Sequence, residues 1–250
     1  MSDDAAKGAR VSPFIAPVLV DLGLGNLHSV EKSLARACAE TGRSAPIVSR
    51  DPDLISRARL LVVPGQGAFR DGAASLAGDG GALGQALRAA IDDGACYLGI
   101  CLGLQLLLDE SEEAPGARGL GIFSGRVVRI PGDLVDANSN ARAREATPRT
   151  RLKVPHMGWN QPVAIDGSAG RAVAPLLAAA GESPWFYFVH SYHAMLDDPS
   201  DVAATASYGC LEITAMIGRG RVIATQFHPE KSQRAGLAML RAWMTAASAG

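Results

Sequence analysis

The chain has 250 residues, 48% of them apolar, which is enough to build the packed core of one large domain or two small ones. Lys and Arg number 24 against 25 Asp and Glu, a formal net charge of -1 with no run of five or six like charges, so a nucleic-acid or other polyanion binder is not expected. The longest apolar runs, residues 15–20 and 97–108, are short or broken by glycine, against the roughly 18 apolar residues that a membrane-spanning helix needs, so no membrane partner is expected either.

Residues 1–17 read as a flexible leader. Asp3 and Asp4, without an apolar stretch ending in a small-residue cleavage site, exclude a secretory signal and argue against an Arg-rich transit peptide. A strand at 18–21 then gives way to Gly23-Leu-Gly-Asn26. Leu27, Val30, Leu34 and Ala37 stand at helical spacing and predict a helix over 27–40. Strands follow at 46–49 and 60–63, the second stopping at Pro64-Gly-Gln-Gly67. A flexible loop at 78–84, a helix at 85–93 and a strand at 96–100 come next, and the last is apolar on both faces, as a central parallel strand is. An apolar helix is expected over 102–108.

The second half changes character. Strands are expected at 125–130, 159–165, 185–189, 202–208, 213–217 and 222–226 with little helix between them, and a closing helix at 233–246. Together these elements predict an α/β layered fold with a mostly parallel sheet and an antiparallel extension. Residues 132–150 are polar and lack either period, so they read as an exposed insertion or disordered loop. Neither a repeat nor a linker divides the chain, which leaves 18–250 as one domain carrying that insertion.

Four cysteines, Cys38, Cys96, Cys101 and Cys210, form no C-x-x-C pair in a chain large enough to fold without disulfides, which fits free thiols in a reducing, cytoplasmic compartment. One of them carries a motif. Gly99-Ile-Cys101-Leu-Gly103 at a strand-to-helix junction has the form of a nucleophile elbow, with cysteine in place of serine. The sharp turn leaves no room for side chains two residues to either side, and the helix N-terminus beyond favours a thiolate. A buried core cysteine beside incidental glycines is the plain alternative, and Cys38, Cys96 and Cys210 are expected to pack as small apolar groups.

A thiol nucleophile needs a base held by a third group. His228 ends the apolar run from Val222 to Phe227, and Pro229 and Glu230 follow it. His228 and Glu230 therefore share a side of an extended chain, and Glu230 can hold one ring nitrogen while the other faces Cys101. Gly65 and Gly67 end another buried strand. Small residues with free N–H groups there, with Leu102 N–H as partner, are what an oxyanion hole requires, although a generic turn reads the same way. His190 and His193 are spaced i, i+3, but no cysteine or acid cluster stands beside them, so no metal is expected. Gly23 and Gly25 suggest a dinucleotide loop, but His28 occupies the place of its third glycine, and no cofactor is expected.

In chain order the signals are oxyanion loop, nucleophile, then His and Glu. This order, with 99–103 and 227–230, resembles the class I (triad) glutamine amidotransferases. Within them, the motifs at 21–30, 64–69, 155–160, 187–192 and 226–232 are similar to those of the glutaminase subunits of imidazole glycerol phosphate synthase, of histidine biosynthesis, over about residues 18–240. The resemblance implies a three-layer, flavodoxin-like class I glutamine amidotransferase fold and a triad of Cys101, His228 and Glu230. It implies L-glutamine as substrate, held at its amino-acid end by Gln105 with His190, Ser191 and Tyr192. Gly65, Gly67 and Leu102 border the oxyanion site, whose strand in the family is misoriented until the partner engages, so that activity in isolation is low. The implied partner is a (β/α)₈ cyclase subunit in a heterodimer, which receives the ammonia and docks around Asn26, His156, Trp159 and Asn160. The leader and the 132–150 segment have no counterpart in the family.

Three other readings keep much of this machinery. A glutaminase serving pyridoxal phosphate or guanylate synthesis shares the triad, and the segments 155–160 and 230–232 argue against it. A non-catalytic regulatory protein on the same fold is opposed by the intact Cys101, His228 and Glu230, and a cysteine peptidase of related fold would cleave peptides and not only free glutamine.

Overall fold

The computed structural model describes residues 16–135 and 151–247. Residues 1–15 of the leader expected over 1–17, and 136–150 of the insertion expected over 132–150, lie outside the described residues.

Strict alternation along short apolar runs builds the centre of the molecule. β1 (Val18–Val20), β3 (Leu60–Gly65), β4 (Cys96–Cys101) and β13 (Val222–Thr225) are buried along their whole length. Side chains of one strand point to opposite faces, so each strand feeds two cores. Val18, Val20, Leu61, Val63, Tyr97, Val222 and Ala224 belong to one core, and Leu19, Leu60, Val62, Leu98, Ile100 and Ile223 to the other. The first is covered by α2 (Pro52–Ser56) and α3 (Phe69–Asp92), the second by α1 (Leu27–Glu40), α5 (Ser168–Ala180) and α6 (Gln233–Ala246). These are the three layers expected of a doubly wound α/β fold.

With β2 (Ile47–Ser49), β8 (Val163–Ala164), β11 (Val202–Tyr208) and β12 (Leu211–Arg219), the main sheet has eight strands in the order β2-β1-β3-β4-β13-β12-β11-β8. Pairing is parallel from β2 to β13 and antiparallel from β13 to β8, the mostly parallel sheet with its antiparallel extension. Two smaller sheets flank it. One joins β10 (Tyr192–Leu196), β6 (Gly125–Arg129) and β5 (Glu110–Ser111), and the other pairs β7 (His156–Asn160) with β9 (Phe186–His190). Among the described residues no helix is long and apolar enough to cross a membrane.

Several elements depart from the sequence reading. α5 falls where little helix was expected: Ala169, Val173, Leu176 and Leu177 form its buried stripe, and Pro175 lies inside it. Gly170 lets it lie against the chain, because a Cβ there would stand 1.7 Å from the Ile165 carbonyl oxygen. α3 begins at Phe69, and the loop expected over 78–84 is only a kink at 78–81, where Asp79, Gly80 and Gly81 take positive φ. The strand expected over 159–165 is two strands in different sheets. Asn160 Oδ1 accepts the Gln161 N–H at 2.8 Å and Pro162 has no N–H to give, so the ladder stops between them. The helix expected over 102–108 is a single turn, α4 (Leu102–Gln105). The bonds from Leu107 N to Leu104 O and from Leu108 N to Gln105 O tighten the chain into 3-10 geometry beyond it. So short a helix brings little macrodipole to the thiol, and its contribution there is smaller than the sequence suggested.

Candidate active site

The carboxyl ends of β3, β4 and β13 lie side by side, which is where open α/β sheets bind ligands. Gly65 pairs with Cys101 across β3 and β4, and Thr225 pairs with Ile100 across β13 and β4, so His228 emerges beside the elbow.

Cys101 has φ 54° and ψ -103°, a conformation that costs a residue with a side chain about 1–3 kcal/mol and that the surroundings must enforce. The glycines show how they do so. A Cβ on Gly103 would stand 1.8 Å from the Val63 carbonyl oxygen, and one on Gly99 would stand 2.7 Å from the Gly103 carbonyl oxygen. A Cβ on Gly65 would meet the Leu102 Cβ at 2.8 Å. Tyr97, wholly buried beneath the turn, donates its hydroxyl to the Gly103 carbonyl at 3.0 Å, and burial raises its pKa so that the proton stays in place.

His228 is held by its backbone. Its N–H donates to the Tyr187 carbonyl at 2.9 Å, and its own carbonyl accepts the Ser232 hydroxyl at 2.6 Å, while Ser232 Oγ accepts the Tyr187 N–H. Its ring Nδ1 lies 2.8 Å from Glu230 Oε1. Gln66 Nε2, 3.5 Å from the same nitrogen, is itself a donor and makes no bond to it while Nδ1 carries its proton. Burial alone disfavours a charged ring, yet the neighbouring Cys101 and then Glu230 outweigh it and push His228 up to about 9. Its Nε2 is buried and makes no hydrogen bond of normal geometry among the described residues, so the influence of Cys101 is one of proximity and charge more than of a formed bond. Glu230 Oε2 is likewise buried without a partner among the described residues. An imidazole pinned at Nδ1, with Nε2 free beside a thiol, is arranged to carry a proton to and from sulfur.

Cys101 opens onto a cleft of about 390 Å³, within the range of small-molecule sites. Gln66, Gly67, Gln105, His190, Ser191 and Tyr192 share its walls with Glu113 and Lys231. Every residue expected to hold substrate thus lines one cavity. Gln105 Nε2 donates to the Tyr192 carbonyl at 3.2 Å and to Gln226 Oε1 at 3.3 Å, leaving its Oε1 as the acceptor for a ligand N–H. Leu102 opens α4, so its N–H is a first-turn donor without an intrahelical acceptor, and Gly67 takes φ 143°, a conformation that favours glycine.

The residues expected at a docking face are divided. Trp159 is 45% exposed on β7, edge-on to Tyr187, with Met157 and Trp185 also exposed. Asn26 is exposed and caps α1, its Oδ1 accepting the Ser29 N–H. Asn160 is half-buried and donates to the Ser207 carbonyl. His156 does not belong on a surface: it is 3% exposed, stacked on Phe188, with Nδ1 3.0 Å from His190 Nε2. Because the Tyr192 carbonyl takes His190 Nδ1–H, His190 Nε2 must accept from His156, so both rings are neutral Nδ1–H tautomers. Burial lowers His156 to about 4. Burial, reinforced by the His156 charge, lowers His190 to about 3.

His190 and His193 lie on different strands, and among the described residues no group of three or more His, Cys, Asp or Glu side chains could hold a metal ion. Cys38 and Cys96 are buried free thiols and Cys210 is an exposed one. Gln66, Gln226, Lys231 and Ser232 fall within motifs that carry the resemblance but were given no role by the sequence, and Glu113 was not singled out. For Gln226 a glutamine within the apolar run from Val222 to Phe227 was a further signal.

A family model described as Glutamine amidotransferase class-I matches residues 20–246. The imidazole glycerol phosphate synthase subunit HisH of Methylococcus capsulatus is 46% identical over 222 residues, covering 89% of this chain and 92% of that protein. The HisH protein of a Geobacillus species is 43% identical over 223 residues, covering 89% and 93%. Among solved structures, that of a glutamine amidotransferase superimposes with a TM-score of 0.60 at 17% identity, over 93% of this chain and 99% of that one, a likeness of fold.

Proposed function

Because the chain belongs to the class I glutamine amidotransferases, and among them to the family of imidazole glycerol phosphate synthase subunit HisH, we propose that Cys101, His228 and Glu230 are its catalytic triad. The chain is the glutamine amidotransferase subunit of that synthase, acting in histidine biosynthesis. The observation that carries the triad is the strained Cys101 elbow beside the buried, ion-paired His228 and Glu230.

Cys101 sulfur attacks the side-chain amide carbon of L-glutamine while His228 Nε2 holds the thiol proton. The developing oxyanion is met by the N–H groups of the 65–67 segment and Leu102. His228 returns its proton to the departing nitrogen, ammonia leaves, and a glutamyl thioester remains on Cys101. Water, deprotonated by His228, cleaves the thioester to glutamate and the free thiol. Glu230 keeps the ring oriented and offsets its charge. Gln105, through its free Oε1, and the chain segment of His190, Ser191 and Tyr192, whose ring and carbonyl partners hold it in place, border the amino-acid end of glutamine, and no cofactor takes part. The ammonia passes to a (β/α)₈ cyclase subunit in a heterodimer, docked over the exposed Met157, Trp159 and Trp185 with Asn26 and Asn160 at its edge. We also read residues 18–250 as one domain working in the cytoplasm.

The test is ammonia and glutamate release from glutamine, with and without the cyclase and its nucleotide substrate. Release should be stimulated by the partner and lost in Cys101→Ala. Stimulated release that survives in Cys101→Ala removes the nucleophile, and absence of stimulation moves the acceptor to another protein.

A further inference from the structure

Gln226 directly follows β13 and is 0% exposed, a polar side chain in an apolar run with no place in the proposed triad. Buried amides must be satisfied, so its partners are informative. Their orientation is fixed by a backbone carbonyl. The Tyr192 carbonyl can only accept, and it takes His190 Nδ1–H at 2.8 Å and Gln105 Nε2–H at 3.2 Å, which fills both lone pairs. The Gln105 amide is thereby oriented, and its remaining N–H goes to Gln226 at 3.3 Å. Gln226 must accept that bond through Oε1. Its Nε2 is then left to donate to Cys101 Sγ, 3.5 Å away.

An N–H donor aimed at sulfur stabilises the thiolate and has less to offer the thiol. With α4 only one turn long, the helix dipole is a weak source of the same stabilisation. We infer that Gln226 is a further catalytic residue, whose amide donates to the Cys101 sulfur, holds it as the attacking thiolate, and ties its position to Gln105. This inference rests on the reading of Cys101 as nucleophile and deepens it. The sulfur, Gln226, Gln105 and the Tyr192 carbonyl form one hydrogen-bonded line, so the nucleophile and the group assigned to the substrate's amino-acid end are set by the same buried amide.

The test is the pH dependence of Cys101 alkylation by iodoacetamide, followed by mass spectrometry of the Cys101 peptide, in wild type and Gln226→Met. Methionine keeps the length and removes both polar atoms. The other titratable groups around the sulfur remain: His228 with Glu230 behind it, and Glu113, His190, Tyr192 and Lys231 on the cleft walls. In a Gln226→Met protein that melts cooperatively, the alkylation midpoint should rise by about one pH unit, so that the reaction below it slows about 10-fold. An unchanged profile overturns the inference. If Gln226→Met does not fold, the side-chain amide signal of Gln226 in the ¹⁵N spectrum of the wild type decides. It should move as Cys101 titrates, and a static signal overturns the inference. Glutaminase activity retained in Cys101→Ala would instead overturn the nucleophile, whatever the alkylation profile shows.

Discussion

His228 Nδ1 lies 2.8 Å from Glu230 Oε1 with both side chains 1% exposed, although only a proline separates the two residues in the chain. His228 caps the 3-10 turn Pro229–Lys231, which brings Glu230 back to the ring's Nδ1. Because the folded ring titrates near 9, above the usual 6.5, its stabilisation is complete below pH 6.5 and is lost as pH rises through about 9. The amount is on the order of 3 kcal/mol. Glu230→Gln should lower the His228 midpoint seen by NMR, cut glutaminase activity roughly 10²–10⁴-fold, and cost more stability at pH 6.5 than at pH 9.5. An unmoved midpoint would remove Glu230 as the partner of His228.

The glycines of the elbow make a prediction about stability. A Cβ at Gly103 meets the Val63 carbonyl oxygen at 1.8 Å, and backbone on a central strand cannot retreat. Gly103→Ala should therefore destabilise the protein by at least about 3 kcal/mol in urea unfolding. Gly78, with φ -57° and nothing within 4 Å of its would-be Cβ, is the control: Gly78→Ala should be neutral or stabilise by about 0.4–1 kcal/mol. Equal effects at the two positions would mean that packing does not enforce the turn.

The same glycines explain what could be read in advance. G-x-C-x-G and H-P-E are local, since each fixes its geometry within five residues, and the central strands announce themselves as runs such as Leu60 to Val63. α1 and α6 have regular stripes and were legible too. α5 was not: Pro175 and Gly170 are helix-unfavourable, and only its packing onto β11 and α6 keeps it formed. The helix expected over 102–108 failed for the converse reason, since Leu106, Leu107 and Leu108 are apolar enough for a helix but are drawn off by backbone bonds from Leu120, Gly121 and Ile122. Gln226 and His156 depend on partners far away in sequence, and no spacing encodes those.

The buried pair His156 and His190 predicts acid sensitivity. Both are held neutral, at about 4 and about 3, while the unfolded chain titrates near 6.5. Stability is fully present above pH 6.5 and falls as the pH drops toward those values, by about 1.4 kcal/mol per pH unit for each histidine. Urea unfolding at pH 7, 5.5 and 4.5 should show this slope, and His156→Gln should reduce it by one histidine's share. A slope identical to wild type in His156→Gln would mean that His156 is already charged in the folded protein.

Trp159 bears on the proposed docking surface. The residue is 45% exposed and its ring lies edge-on to Tyr187 with centroids 5.9 Å apart, so little of the fold depends on it, and Met157 and Trp185 extend the exposed apolar area. Large aromatics left in water on a monomer are the residues that carry interface energy. Trp159→Ala should leave the free energy of unfolding within about 0.5 kcal/mol of wild type. It should weaken binding of the cyclase, measured by titration calorimetry, by at least about 10-fold. His156, buried on the opposite face of the same strand, separates the two causes: His156→Gln perturbs the support of the β7–β9 pair and should alter stability as well as binding. Wild-type affinity in Trp159→Ala would move the docking surface away from this two-stranded sheet.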